Sequence, residues 1–97
     1  MAFIQIIEFN SSDIDAVTAV VGEWETATRG KRTARRDILA RDRSNPDRYF
    51  SVVFFDSYES AMENSNLAET RAAAEKFRAV TKDMVFYDLD VVSDHKL

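Results

Sequence analysis

Arg35 and Asp37 stand two residues apart in a segment that alternates like a β-strand, so both side chains fall on one face, in phase with Tyr49 and Ser51 of a later strand. A carboxylate near a guanidinium and a phenol can take a proton from a substrate hydroxyl and hold the oxyanion left behind. In that reading Asp37 is the base and Arg35 or Tyr49 the oxyanion partner. Such an Arg35–Asp37 pair on one strand face is more often an internal or intersubunit ion pair. Asp88 and Asp90 share a face of the last strand-like segment and are read as edge charges or dimer salt bridges, since a metal there would rely on carboxylates alone. The chain has no Cys, and its one histidine, His95, lies two residues from the end. That removes thiolate metal sites and cysteine nucleophiles, and leaves a Ser-His-Asp arrangement only if the tail folds back. Gly22 and Gly30 are the only glycines and are isolated, so the loops that cradle dinucleotides or nucleoside triphosphates are missing. Neither a cofactor nor a metal is expected.

The elements that would position these residues can be read from the pattern. Phe3 to Phe9 is short, β-branched and aromatic, and Asn10-Ser11-Ser12-Asp13 stops it, which predicts a first strand. A helix follows with Ser12 as its cap and Asp15 at the third position. Ile14, Val17, Val21, Trp24 and Thr28 form its inner stripe, and Arg29-Gly30 ends it. Arg32 to Arg43 alternates as a second strand, Ser44-Asn45-Pro46-Asp47 is a turn, and Tyr49 to Phe55 is the third strand. Asp56 or Ser57 caps a second helical region, interrupted at Asn64-Ser65-Asn66 and recapped by Asn66, with Leu67, Thr70, Ala74 and Phe77 inward. Met84 to Val92 is the last strand. The order βαββαβ predicts an α+β, ferredoxin-like domain over residues 1–97, with an antiparallel sheet in the order 4-1-3-2 and both helices on one face.

Composition bounds the function. The 97 residues are 45% apolar with two Gly and one Pro, enough for one core and too few for two domains. The formal net charge of −4 opposes general nucleic-acid binding. The third strand superficially resembles that of RNA-recognition modules, but it lacks their glycine and puts aromatics on both faces. There is no basic leader and no apolar run near the ~20 residues of a membrane span, so a soluble, cytoplasmic protein is expected.

Alternation sorts the strand residues into two sets. Ile4, Ile6, Ala34, Ile38, Ala40, Phe50, Val52, Phe54, Val85, Tyr87, Leu89 and Val91 are almost uniformly apolar and are assigned to the face under the helices. Phe3, Gln5, Ile7, Phe9, Arg35, Asp37, Leu39, Tyr49, Ser51, Val53, Phe55, Met84, Phe86, Asp88 and Asp90 are mixed, yet too apolar to be left in water, so a second copy of the chain is expected to cover them. Residues 29–48 hold eight basic and three acidic side chains, whereas the remainder holds five basic and fourteen acidic. A two-fold axis would set the basic second strand beside the partner's acidic fourth strand and roll the two sheets toward a barrel.

FIQIIEF at the start, YFSVVFFDSYESAMENSN between the third strand and the second helix, and the closing MVFYDLDVV resemble the dimeric α+β barrel superfamily, close to its antibiotic-biosynthesis-monooxygenase-like branch. The resemblance spans nearly the whole chain. It implies a homodimeric barrel and a pocket between sheet and helices. Haem-degrading relatives carry a Trp and an iron-ligating His on the second helix; here those places hold Asn64 and Ala74, which excludes haem ligation in that mode. The expected pocket lining is Phe3, Gln5, Ile7, Trp24, Ser51, Val53, Phe55, Asn64, Phe86 and Asp88, and it suits a small aromatic or polyketide-like ligand. Trp24 also reads as core packing, and Asn64 as a helix breaker. With this resemblance, the chemistry that Asp37, Arg35 and Tyr49 could supply is cofactor-independent monooxygenation, in which a deprotonated phenol or quinol itself reduces dioxygen. The alternative is a non-catalytic ligand-sensing or structural dimer.

Overall fold

The computed structural model describes residues 2–97; Met1, the first residue of the expected 1–97 domain, lies outside the described residues. Four strands, β1 (Phe3–Asn10), β2 (Arg36–Arg41), β3 (Arg48–Phe55) and β4 (Lys82–Asp90), form one antiparallel sheet in the order β2-β3-β1-β4. Three helices, α1 (Ile14–Ala27), α2 (Tyr58–Asn66) and α3 (Ala68–Ala79), complete the chain. This is the expected split βαββαβ arrangement, with β2 and β4 as its two edges. Among the described residues, no helix is long and apolar enough to cross a membrane.

Local chemistry sets the helix ends. Asp13, rather than Ser12, caps α1: its Oδ1 accepts from the Ala16 N–H at 3.1 Å, while the Ser11 hydroxyl accepts from the Asp13 N–H. The chain leaves α1 through Thr28, and Gly30 takes φ 79°, a left-handed turn position that suits glycine. Ser57 caps α2 in a reciprocal box with Ser60. The break between α2 and α3 falls at Leu67, whose ψ of 136° is extended; no side chain caps α3, so the recapping role expected of Asn66 is not filled. β2 is shorter than its alternation suggested, beginning at Arg36, so Ala34 and Arg35 precede it.

Which face of the sheet meets the helices is the main correction. The buried residues form two clusters. Phe3 and Phe55 pack with Ala61 of α2, and Phe9 and Tyr49 pack with Val17 of α1. All four strand residues belong to the mixed set, so that set lies under the helices and the uniformly apolar set faces away. The register places three rows on the outward face: Leu89, Ile4, Phe54 and Arg36; Tyr87, Ile6, Val52 and Ile38; Val85, Glu8, Phe50 and Ala40. Ten of these twelve positions are apolar. On β4, Val85, Tyr87 and Leu89 stand 41–43% exposed. The two charged positions are already engaged: Glu8 pairs with Arg48 at 3.0 Å and accepts from the Tyr87 hydroxyl, and the Arg36 guanidinium lies 5.8 Å from the Phe54 ring centre.

Candidate functional site

The two core clusters hold the two ends of the sheet's inner face and leave its middle open. At one end the Phe3 ring meets Phe55 at 6.3 Å and Tyr58 edge-on at 5.4 Å. At the other, Phe9 stacks on Tyr49 at 5.7 Å and meets Phe77 edge-on at 4.9 Å. Between them run the rows Asp88–Gln5–Val53–Asp37 and Phe86–Ile7–Ser51–Leu39. The helix residues above these rows include Val20, Val21, Thr70, Ala73 and Ala74, whose short side chains do not reach down to fill the gap. The result is a cavity of about 160 Å³, open on one side, under a roof of α1, α2 and α3.

Its wall is mostly apolar, and its few polar groups are distinct. Asp37 reaches in from edge strand β2, and its Oδ1 is buried without a hydrogen-bond partner among the described residues. Burial is the main cause that pushes its carboxyl above the ordinary carboxylate range; the charge of Glu25 adds to this and the Ser51 hydroxyl partly offsets it. Asn64, buried in α2, accepts from the Thr33 N–H at 3.4 Å through Oδ1, which leaves its amide nitrogen as a donor on the cavity side. The Trp24 indole N–H donates to Thr70 Oγ1 at 2.9 Å, so the Thr70 hydroxyl keeps its own proton to give. Gln5 donates to Asp88 at 3.2 Å. Arg78 of α3 lines the exposed rim, with no ion-pair or hydrogen-bond partner among the described residues.

Of the residues singled out from the sequence, Asp37, Gln5, Ile7, Trp24, Ser51, Val53, Phe55, Asn64 and Phe86 are brought together around this cavity. The others lie elsewhere. Arg35 is exposed ahead of β2 and grips Asp56 through Nε at 3.0 Å and Nη2 at 2.6 Å, so it does not pair with Asp37. Tyr49 is buried in the second cluster, its hydroxyl accepting from Arg41 at 2.8 and 3.1 Å. Phe3 is buried in the first cluster, and Asp88 touches the site only through Gln5. Thr70, Ala73, Ala74 and Arg78 escaped the sequence reading as site residues; the run of alanines in α3 was the available signal, since small side chains on an inner helix stripe leave space unfilled. No three carboxylate or histidine side chains converge among the described residues.

No protein-family model matches the chain, and no curated protein is significantly similar in sequence. Solved structures, by contrast, superpose over nearly the whole length. An antibiotic-biosynthesis-monooxygenase-like protein from Chloroflexus aurantiacus is 18% identical, covers 99% of this chain and 98% of its own, and gives a TM-score of 0.77. SnoaB, a cofactor-independent oxygenase from Streptomyces nogalater, is 11% identical over 96% of this chain and 95% of its own, with a TM-score of 0.81. Rv0793 from Mycobacterium tuberculosis is 12% identical over 99% and 100%, with a TM-score of 0.79. The chain therefore carries the same fold as these solved structures.

Proposed function

We propose that the chain forms a homodimer through the outward sheet face and that each protomer binds a small aromatic ligand in its own cavity, where it acts as a cofactor-independent monooxygenase. The single observation that carries the catalytic reading is the Asp37 carboxylate oxygen, buried and unpartnered in an apolar cavity. A structural carboxylate would be paired, because an unmatched buried acceptor costs about 1–3 kcal/mol. One held ready for a substrate hydroxyl is free until the substrate arrives. The fold shared with SnoaB, a cofactor-independent oxygenase, supports the same reading.

The chemistry follows from a phenol or quinol bound with its hydroxyl on Asp37. Asp37 takes the phenolic proton, aided by a carboxyl whose proton affinity burial has raised. The Asn64 amide and the Thr70 hydroxyl hold the phenolate oxygen. The electron-rich ring reduces dioxygen, and a ring carbon that bears hydrogen forms the new C–O bond. The hydroperoxide then loses its C–H proton as the O–O bond breaks, giving a quinone carbonyl and one water. One dioxygen supplies both oxygen atoms and the substrate supplies all the electrons. In this assignment Asn64 and Thr70 take the oxyanion role first considered for Arg35 and Tyr49.

The test is oxygen uptake by the purified protein with a panel of quinols and phenols and no added cofactor. Uptake above the rate of spontaneous autoxidation, lost in Asp37→Asn and reduced in Asn64→Ala, supports the reading. Uptake that survives both substitutions refutes the site, and binding without uptake refutes the oxygenase.

A further inference from the structure

The ends of the cavity differ in a way that defines its ligand more narrowly. Asp37 shares a row with Val53, which packs on the Phe3 cluster. Phe77, Met84 and the rim residue Arg78 wall the other end, where Phe77 and Met84 join the Phe9 cluster. The cavity volume of about 160 Å³ compares with that of an engineered apolar cavity, about 150 Å³, that binds benzene. It falls short of the roughly 300–1,000 Å³ that encloses a drug-sized molecule.

Resting on the proposed binding site, we propose that its ligand is a single-ring aromatic acid with a hydroxyl at one end and a carboxylate at the other, the hydroxyl donating to Asp37 and the carboxylate received by Arg78. A benzene ring bearing these groups at opposite positions directs them toward the two ends of the cavity, where each can make a hydrogen bond of about 2.8 Å. Each half of the ligand meets a group, the Asp37 Oδ1 or the Arg78 guanidinium, that has no hydrogen-bond partner among the described residues. The ligand's negative end stays near solvent at the rim, so no buried charge is created there, and the neutral ring fills the apolar middle. A cation in the last turn of α3 also complements the helix dipole; that role accounts for a positive charge at this position and makes no demand on a ligand.

Trp24 is the only tryptophan and lines the cavity, so its fluorescence reports occupancy directly. Binding of 4-hydroxybenzoate, its methyl ester and benzoate is measured without oxygen, which separates affinity from turnover. The acid is expected to bind at least tenfold more tightly than either the ester or benzoate. Arg78→Gln is expected to bring the acid-to-ester ratio close to one, and Arg78→Lys to restore part of the preference. Equal binding of acid and ester by the unaltered protein overturns the proposal and leaves the oxygenase reading standing. So does an undiminished preference in Arg78→Gln, which would reduce Arg78 to a helix-end charge. Acid preference with no oxygen uptake for any substrate sinks the oxygenase alone, and failure of all three rings to bind sinks both.

Discussion

Replacing Val52 by Glu puts a charge at the centre of the outward sheet face, in the row Tyr87–Ile6–Val52–Ile38. Each position on a sheet face occupies about 4.8 by 6.8 Å, so the twelve positions cover roughly 400 Å² per protomer and about 800 Å² in a pair. At about 25 cal/mol per Å² this amounts to about 20 kcal/mol of gross burial. Association costs about 4–15 kcal/mol, which this gross burial exceeds. An uncompensated buried carboxylate costs about 3–5 kcal/mol and enters twice in a symmetric dimer, so Val52→Glu is expected to weaken association by at least four orders of magnitude. Sedimentation velocity at about 10 µM should show a dimer for the unaltered chain and a monomer for the variant. Val52 points away from both core clusters, so circular dichroism should still report the fold. If the protomer unfolds without its partner, the milder Arg36→Glu gives the same answer through a measurable shift in dissociation constant. A monomeric unaltered chain, or a Val52→Glu dimer of unchanged strength, would refute the interface.

The neighbouring arginines should separate cleanly. Arg36→Glu, on the outward face, weakens the dimer, and more so at low salt, whereas Arg35→Glu breaks only the exposed pair with Asp56 and leaves sedimentation unchanged. Asp37 holds its proton more tightly folded than unfolded, so its contribution to stability is fully present below the ordinary value of 3.8 and is lost as pH rises through the folded value. Asp37→Asn should therefore gain about 1 kcal/mol over the unaltered chain at pH 8 and little or nothing at pH 3, read from paired urea melts; a variant less stable at pH 8 contradicts the buried, unpaired carboxylate. Trp24→Phe removes the bond to Thr70, and a loss of about 1 kcal/mol should lower Tm by about 4–8 °C.

The strand and helix order and the two edges were legible because each rests on local signals. FIQIIEF and YFSVVFF alternate with period two, and the Ser57 cap and an interruption near Asn64-Ser65-Asn66 announce themselves within a few residues, although the break itself falls at Leu67. The positions of Arg35 and Tyr49 were not legible, because alternation gives phase and not reach. Arg35 shares Asp37's phase yet lies before β2 begins, where Asp56 offers a closer partner. Tyr49 shares the cavity's face yet sits one row too far along, sealed by Phe9.

The reversal of faces has a deeper cause. Assigning the greasier face to the helices assumes a domain alone in water, where one side of the sheet is covered and the other is wet. A sheet that is to be covered on both sides breaks that assumption, and polarity then tracks what each cover needs. A flat face meeting its own copy needs shape and oil, which Ile4, Ile6, Val52 and Phe54 provide. The face beneath the helices must pack at both ends and hold polar chemistry between them, so Gln5, Asp37 and Ser51 interrupt it while Phe3, Phe9, Tyr49 and Phe55 seal it. On the proposed site and dimer, the mixed face is the interior one because polar groups are needed there, and the apolar face is the outer one because its single task is to meet its copy. Changing Glu8, its one acid, to Leu should leave the cavity untouched and, if that task is self-association, still permit a dimer; a Glu8→Leu protein that binds aromatic acids normally but no longer sediments as a dimer would show that the outward face depends on its Glu8–Arg48–Tyr87 contacts rather than on burial.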